Sequence, residues 1–180
     1  AGRRARSAGV DIDLVQGDFT DFTLDAAPFD CAIFMSETFP LITEYSELKS
    51  HFQSVHRHLR PDGVYLIDID VHDRGYRTRR RTWGQRTVTL PGGQVDVWYE
   101  DHPADWVRGI NRLSMHCRIE TQSVEAITTD DWEIRFYSPW TLSLLIQSLE
   151  GWDLKGSYSW QDLGEDIADL NNYFMMLERV

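Results

Sequence analysis

No apolar run in this sequence approaches the roughly 18–20 residues that a membrane-crossing helix needs, which argues against a helical membrane span. Positive charge is also short, with Lys and Arg numbering 18 against 29 Asp and Glu for a net charge of −11. Nucleic-acid phosphates are gripped by basic surfaces, so this balance argues against a nucleic-acid partner. The exception is Arg74-Gly75-Tyr76-Arg77-Thr78-Arg79-Arg80-Arg81. That run reads either as a solvated connection or as a grip for an acidic or phosphorylated small molecule. Cysteine is scarce: Cys31 and Cys117 stand alone without CxxC spacing. They read as buried, unpaired thiols of a cytoplasmic protein. His51, His56 and His58 share one helix without HxxxH spacing and read as solvated or edge residues. No repeat or low-complexity segment is present.

What remains is enough for one globular domain, with 42% hydrophobic and 12% aromatic residues. Residues 10–70 carry three strand patterns, Ile12 to Phe19, Phe29 to Glu37 and Arg60 to Asp68, with an amphipathic helix at 44–59 between the last two. Tyr45, Leu48, Phe52, Val55 and Leu59 form the helix's apolar stripe. Short buried strands alternating with helices predict a parallel sheet covered on both faces. Ligands bind such sheets beyond the carboxyl ends of the strands, so Gly17-Asp18-Phe19, Met35-Ser36-Glu37 and Asp68-Ile69-Asp70 should line one crevice. A second helix is predicted with Ser138 as N-cap, Pro139 in its first turn and Gly151 after its end. Trp152 to Trp160 and Asn172 to Arg179 read as strands. Between 81 and 137 the pattern changes to four alternating segments with a turn at Pro91-Gly92-Gly93, which predicts an antiparallel meander.

The Gly-Asp pair closing one strand, Phe-Asp opening the next, and Leu-Arg-Pro-Asp-Gly leading into a strand that ends in Asp together resemble the second half of a class I S-adenosylmethionine-dependent methyltransferase of the small-molecule type. The resemblance implies a three-layer Rossmann-like sheet lacking its first two strands, with the meander inserted. Family members begin with a strand, a Gly-x-Gly-x-Gly turn and a second strand ending in an acid. Neither appears here, and Ala1 to Gly9 reads as a helix end with its Gly cap. The expectation is an N-terminal truncation of about two strand-helix units, each βαβ unit taking on the order of 30 residues.

The resemblance also implies roles. S-adenosyl-L-methionine would be the cofactor, contacted by Gly17, Asp18, Phe19, Met35 and Ser36, with Asp18 meeting the adenine amine and Phe19 its ring; an ordinary turn role for Asp18 is the alternative. Glu37 is the candidate general base, needed only if the acceptor must lose a proton. Phe39, Asp70, Trp83 and Trp98 are candidate acceptor contacts, the tryptophans forming an aromatic wall or serving sheet and dimer packing. Asp68, Asp70 and His72 alternate along one strand and could hold a divalent cation, although ligands this local rarely complete a site; no metal is assigned. Tyr45 and Lys49 one helical turn apart resemble the pair of short-chain dehydrogenases, but Tyr45 belongs to the apolar stripe. The chain divides into a parallel α/β part (1–80), the β insertion as lid or dimer surface (81–137), and a closing helix and hairpin (138–180). The reading is methyl transfer to N or O of a small molecule, with a homodimer as one assembly. A non-catalytic binding or dimerisation module and a nicotinamide-dependent oxidoreductase are the rivals.

Overall fold

The computed structural model describes residues 2–36, 38–70, 80–159 and 172–180. A short helix α1 (Gly2–Ser7) ends in a Schellman cap: Val10 N–H bonds to Ala5 C=O at 3.0 Å and Gly9 N–H to Arg6 C=O at 3.1 Å. Gly9 takes φ 68°, which a glycine adopts without strain. The capped helix end matches the expectation.

The strand expected over Ile12 to Phe19 does not form. Residues 10–17 run as exposed irregular chain, with Val15 69% accessible. A β-prone segment becomes a strand only when a neighbour satisfies its N–H and C=O groups, and none of the described strands pairs with it.

The first strand is β1 (Phe29–Phe34), shorter than predicted. A 3-10 turn at Phe39–Leu41 leads into α2 (Tyr45–His58), and β2 (Leu59–Asp70) follows directly. β1 and β2 are parallel, and their register jumps from Phe29↔Leu59 to Cys31↔Val64. The jump absorbs Arg60-Pro61-Asp62-Gly63, where Asp62 sits at φ 61° and a Cβ on Gly63 would lie 2.7 Å from Arg60 C=O. The chain closes with α3 (Pro139–Gln147), β7 (Trp152–Ser159) and β8 (Asn172–Arg179). Both β2 and β7 pair antiparallel with β8, giving the order β1-β2-β8-β7. Ser138 accepts from Thr141 N–H at 3.1 Å with Pro139 in the first turn, as predicted.

One core joins these elements. Leu48, Phe52 and Val55 of α2 meet Tyr65, Ile67 and Ile69 of β2, Tyr173, Met175 and Leu177 of β8, and Leu142 and Ile146 of α3. Tyr45 departs from the predicted stripe and is exposed, because it opens the helix before the face reaches the sheet. Cys31 also departs: it is exposed, beside Ile33 at 65% accessible, since that face of β1 is open while Ala32 and Phe34 pack on the core.

The meander forms a second sheet in sequence order, β3 (Arg81–Leu90), β4 (Gly93–Asp101), β5 (Ile110–Thr121) and β6 (Glu125–Arg135). It is tied to the first sheet at one end. Arg135 Nε donates to Thr43 C=O at 2.6 Å, and the Tyr137 hydroxyl donates to Ile42 C=O at 2.6 Å. Beyond the described residues lie Glu37, His72, Trp160 and most of the basic run after Asp70.

Candidate functional site

The carboxyl ends of β1 and β2 converge with the Gly17–Phe19 turn. The Phe19 ring packs on Phe34, the last residue of β1, at 5.5 Å between centroids, and Phe34 meets Phe39 edge-on at 6.1 Å. Beyond β1 the chain turns sharply at Ser36, φ 65°, and this turn is held by Asp68 of β2, whose carboxylate accepts from Ser36 N–H at 3.0 Å. Phe19, Met35 and Ser36 thus share one rim, with buried Asp68 beneath it. Phe39, expected as an acceptor contact, is instead wholly buried in the core against Phe34, Phe52 and Tyr137, because the 3-10 turn folds it inward. Asp68 works from below as the anchor of the turn.

Asp18 is exposed, and its Oδ1 accepts from both the backbone N–H and the hydroxyl of Thr20, each at 2.8 Å. These bonds hold its carboxyl below the usual range, so it stays ionised at neutral pH. Both bonds fall on Oδ1, which shapes the turn while Oδ2 remains on the open side. A Cβ on Gly17 would meet no described atom within 4 Å, so none of the described residues accounts for a glycine there. A flat ring on Phe19, an exocyclic amine on Asp18 Oδ2 and close approach at Gly17 are chemically suited to the adenosyl end of S-adenosylmethionine.

Behind the turn stands a row of polar side chains on α2 that sequence reasoning assigned to solvent. His51 and His58 are both buried. His51 Nδ1 lies 2.6 Å from Phe19 C=O and its Nε2 2.5 Å from the Tyr65 hydroxyl. His58 Nε2 lies 2.8 Å from Leu24 N, and its Nδ1 2.6 Å from Ser54 C=O. Arg57 adds a bond to Asp21 at 2.7 Å and one to Phe22 C=O at 2.8 Å. Burial pushes the His51 imidazole below its ordinary value and the Tyr65 phenol well above its own. The 51-to-58 spacing, two helical turns on one face, was the available signal.

The meander separates the two tryptophans. Trp83 lies opposite Tyr99 in the β3–β4 register and stacks on it at 4.7 Å, whereas Trp98 is on the other face, stacked on His116 at 5.0 Å. They cannot form one wall. The Trp83–Tyr99 face also carries Leu113 and Met115, and at the tethered end Asp101 and Asn111, both buried. Among the described residues neither the Asp101 carboxylate oxygens nor the Asn111 amide has a hydrogen-bond partner. Sequence reading singled out neither residue. On the opposite face His102 Nε2 donates to Ser114 Oγ at 2.7 Å and Ser114 donates to Asp131 at 2.5 Å. Its hydroxyl proton points to the carboxylate, so the trio is no nucleophile-activating triad. Among the described residues no group of three His, Cys, Asp or Glu is placed to hold a metal. No helix among the described residues is long and apolar enough to cross a membrane.

The topology is a Rossmann-like methyltransferase fold. Residues 1–63 match the sequence pattern of a methyltransferase domain family. The cypemycin N-terminal methyltransferase of Streptomyces sp is 36% identical over 84 residues, covering 47% of this chain and 33% of that protein. A solved S-adenosylmethionine-dependent methyltransferase from Clostridium acetobutylicum superposes with TM-score 0.75 at 13% identity, over 99% of this chain and 69% of its own. A sugar N-methyltransferase from Streptoalloteichus gives TM-score 0.72 at 16% identity, over 96% of this chain and 66% of that one. An amino pentose methyltransferase from Micromonospora echinaspora, solved with S-adenosylmethionine bound, gives TM-score 0.67 at 13% identity, over 91% and 63%. The chain therefore spans about a third of the sequence relative and about two-thirds of these structures. The resemblance to class I methyltransferases holds in sequence over the first third and in fold over nearly the whole chain.

Proposed function

We propose that this chain carries the adenine side and the acceptor side of an S-adenosylmethionine-dependent methyltransferase acting on N or O of a small molecule. The observation that supports this best is the shared rim, where the Gly17–Phe19 turn and the Ser36 turn meet at the carboxyl ends of parallel β1 and β2 through Phe19, Phe34 and Asp68. Gly17, Asp18, Phe19, Met35 and Ser36 would hold the cofactor. When bound, it supplies an electrophilic methyl carbon.

The protein's part is then alignment and exclusion of water, which can supply most of the acceleration in a displacement of this kind. Asp70 and the Trp83 face of the meander are proposed to seat the acceptor. Asp101 and Asn111 add donors and acceptors at the tethered end of that face, suited to an amine or hydroxyl of the acceptor. Trp98, on the opposite face, is assigned to packing or to a second subunit. Glu37 is retained as the base for an acceptor that must lose a proton; a neutral amine needs none. The structural neighbours described as sugar and amino pentose methyltransferases make a hydroxylated amine the acceptor class to try first. We further read the protein as cytoplasmic and place a homodimer interface on the meander.

Labelled methyl transfer to a panel of amino sugars tests the proposal. Trp83→Ala and Asp101→Asn should each lower transfer by about tenfold or more while cofactor affinity stays nearly unchanged. Equal loss of cofactor affinity would remove these residues from the acceptor side. The coding sequence upstream gives an independent check: Gly-x-Gly-x-Gly followed by an acid-ended strand supports the reading, and an unrelated domain favours a non-catalytic module.

A further inference from the structure

Among the described residues two that are not glycine occupy the left-handed region of backbone space, Ser36 at φ 65° and Asp62 at φ 61°. In that conformation Cβ crowds the following carbonyl oxygen, a strain that glycine escapes. Aspartate is one of the few side chains that tolerate it, and Asp62 lies where the β1–β2 register jumps. Serine is not one of them.

The fold holds Ser36 there through its backbone. Its N–H donates to the buried Asp68 carboxylate at 3.0 Å, and its C=O accepts at 3.3 Å from the Thr38 hydroxyl, which also reaches Met35 C=O at 3.1 Å. A glycine would make the same bonds without the crowding, so nothing in the turn itself accounts for a serine. What a glycine would lack is the hydroxyl. That side chain is exposed, and among the described residues its hydroxyl has no hydrogen-bond partner. It stands on the rim shared with Phe19 and Met35, above Asp68. Backbone strain held by buried partners, at a crevice, with one polar group left over, is the pattern of a ligand contact.

We propose that the Ser36 hydroxyl hydrogen-bonds a polar group of the molecule seated on this rim, with Asp68 and Thr38 holding the strained backbone that presents it. The proposal rests on the cofactor reading given above and adds the atom that makes the contact. A hydroxyl both donates and accepts, so it suits a ribose hydroxyl of the donor or its amino-acid end. Such a residue has a signature that a purely structural one lacks: removing it relieves the fold and weakens the ligand.

Urea midpoints and NMR titrations with S-adenosylhomocysteine on the parent, Ser36→Gly, Ser36→Ala and Asp62→Gly test the proposal. Ser36→Gly should leave the midpoint unchanged or raise it, and weaken binding by about three- to tenfold, the worth of one hydrogen bond. Ser36→Ala keeps Cβ and loses the hydroxyl alone, and should weaken binding by the same factor. Asp62→Gly makes the same backbone change away from the rim and should leave affinity within about twofold of the parent's. Repeating the titrations with 5′-methylthioadenosine, which lacks the amino-acid end, locates the bond. A loss for both ligands assigns it to the nucleoside, and a loss for S-adenosylhomocysteine alone assigns it to the amino-acid end. Parent-like affinity in Ser36→Ala, with shifts still centred on Gly17 to Thr20 and Phe34 to Ser36, overturns the proposal and leaves the cofactor reading standing. A lowered midpoint in Ser36→Gly also overturns it, because the serine then serves the fold. Equal loss of affinity in Asp62→Gly does the same, because the effect then lies in the backbone. No binding at these amides in the parent overturns the cofactor reading, and the proposal with it.

Discussion

At the residue scale, charges and polar groups near the rim are committed by hydrogen bonds. Two hydrogen bonds from Thr20 hold the Asp18 carboxyl below the usual range, and Asp68 fixes the turn at Ser36. His51 carries a stability consequence whose sign follows from its depressed pKa in the folded chain. The unfolded imidazole, near 6.5, binds a proton that the folded one refuses, so His51 contributes its full stabilisation above that pH and loses it as pH falls toward its folded value. His56, also held low by burial and by Arg179, acts in the same direction. Urea unfolding should give a stability that is level above about pH 7 and declines below it, at up to about 1.4 kcal/mol per pH unit from buried His51 and much less from the more exposed His56. His51→Gln should flatten part of that decline. A slope identical to the parent's would show that His51 binds its proton as readily folded as unfolded, which contradicts the burial.

At the scale of single elements, local signals were legible where they are self-contained. Ser138-Pro139 at its start and Gly151 after its end predict α3, and the alternation around Pro91-Gly92-Gly93 predicts the β3–β4 hairpin; each depends on local residues. Gly151 was read as the stop of α3, and the structure adds a second reason for it. It sits at φ 83°, where a Cβ would come 2.4 Å from His56 Nε2. Gly151→Ala should therefore destabilise the fold by about 1–3 kcal/mol, through strained backbone and a displaced imidazole. Denaturant midpoints would reveal it, and a neutral or stabilising change would contradict the geometry. Three expectations failed where the deciding contact is long-range. Ile12 to Val15 has the composition of a strand, but none of the described strands pairs with it. His51 and His58 become buried because a loop some thirty residues upstream folds over them. Trp83 and Trp98 face apart because register, which composition does not reveal, puts Trp83 opposite Tyr99.

At the scale of the whole molecule, two sheets meet through Arg135, Tyr137 and the 3-10 turn, which carries the meander's tethered end to the region of the rim. The first sheet ends in an uncovered β1, with Ile33 exposed and an extended apolar stretch of Val10, Ile12, Leu14 and Val15 also facing solvent. Unpaired edges with apolar side chains associate. Sedimentation should show self-association of this chain that falls when Ile33→Lys charges the edge; a stable monomer at high concentration would contradict that account. The parallel β1–β2 pair joined through one helix and the closing antiparallel β7–β8 hairpin were legible, because each follows from a local strand pattern and its connection. The residues behind the rim and the orphaned Asp101 and Asn111 were not, because their burial is made by tertiary packing.

The central claim is that the turns at Gly17–Phe19 and Met35–Ser36 form the adenosyl side of a methyl-donor site. It is tested most directly by titrating the isotopically labelled chain with S-adenosylhomocysteine and following every backbone amide. The account predicts shifts concentrated at Gly17 to Thr20 and at Phe34 to Ser36, saturable even if weak, and reduced by Asp18→Ala by about 1–3 kcal/mol of affinity. Saturable shifts confined to other parts of the molecule, or none at these amides at millimolar ligand, would contradict it.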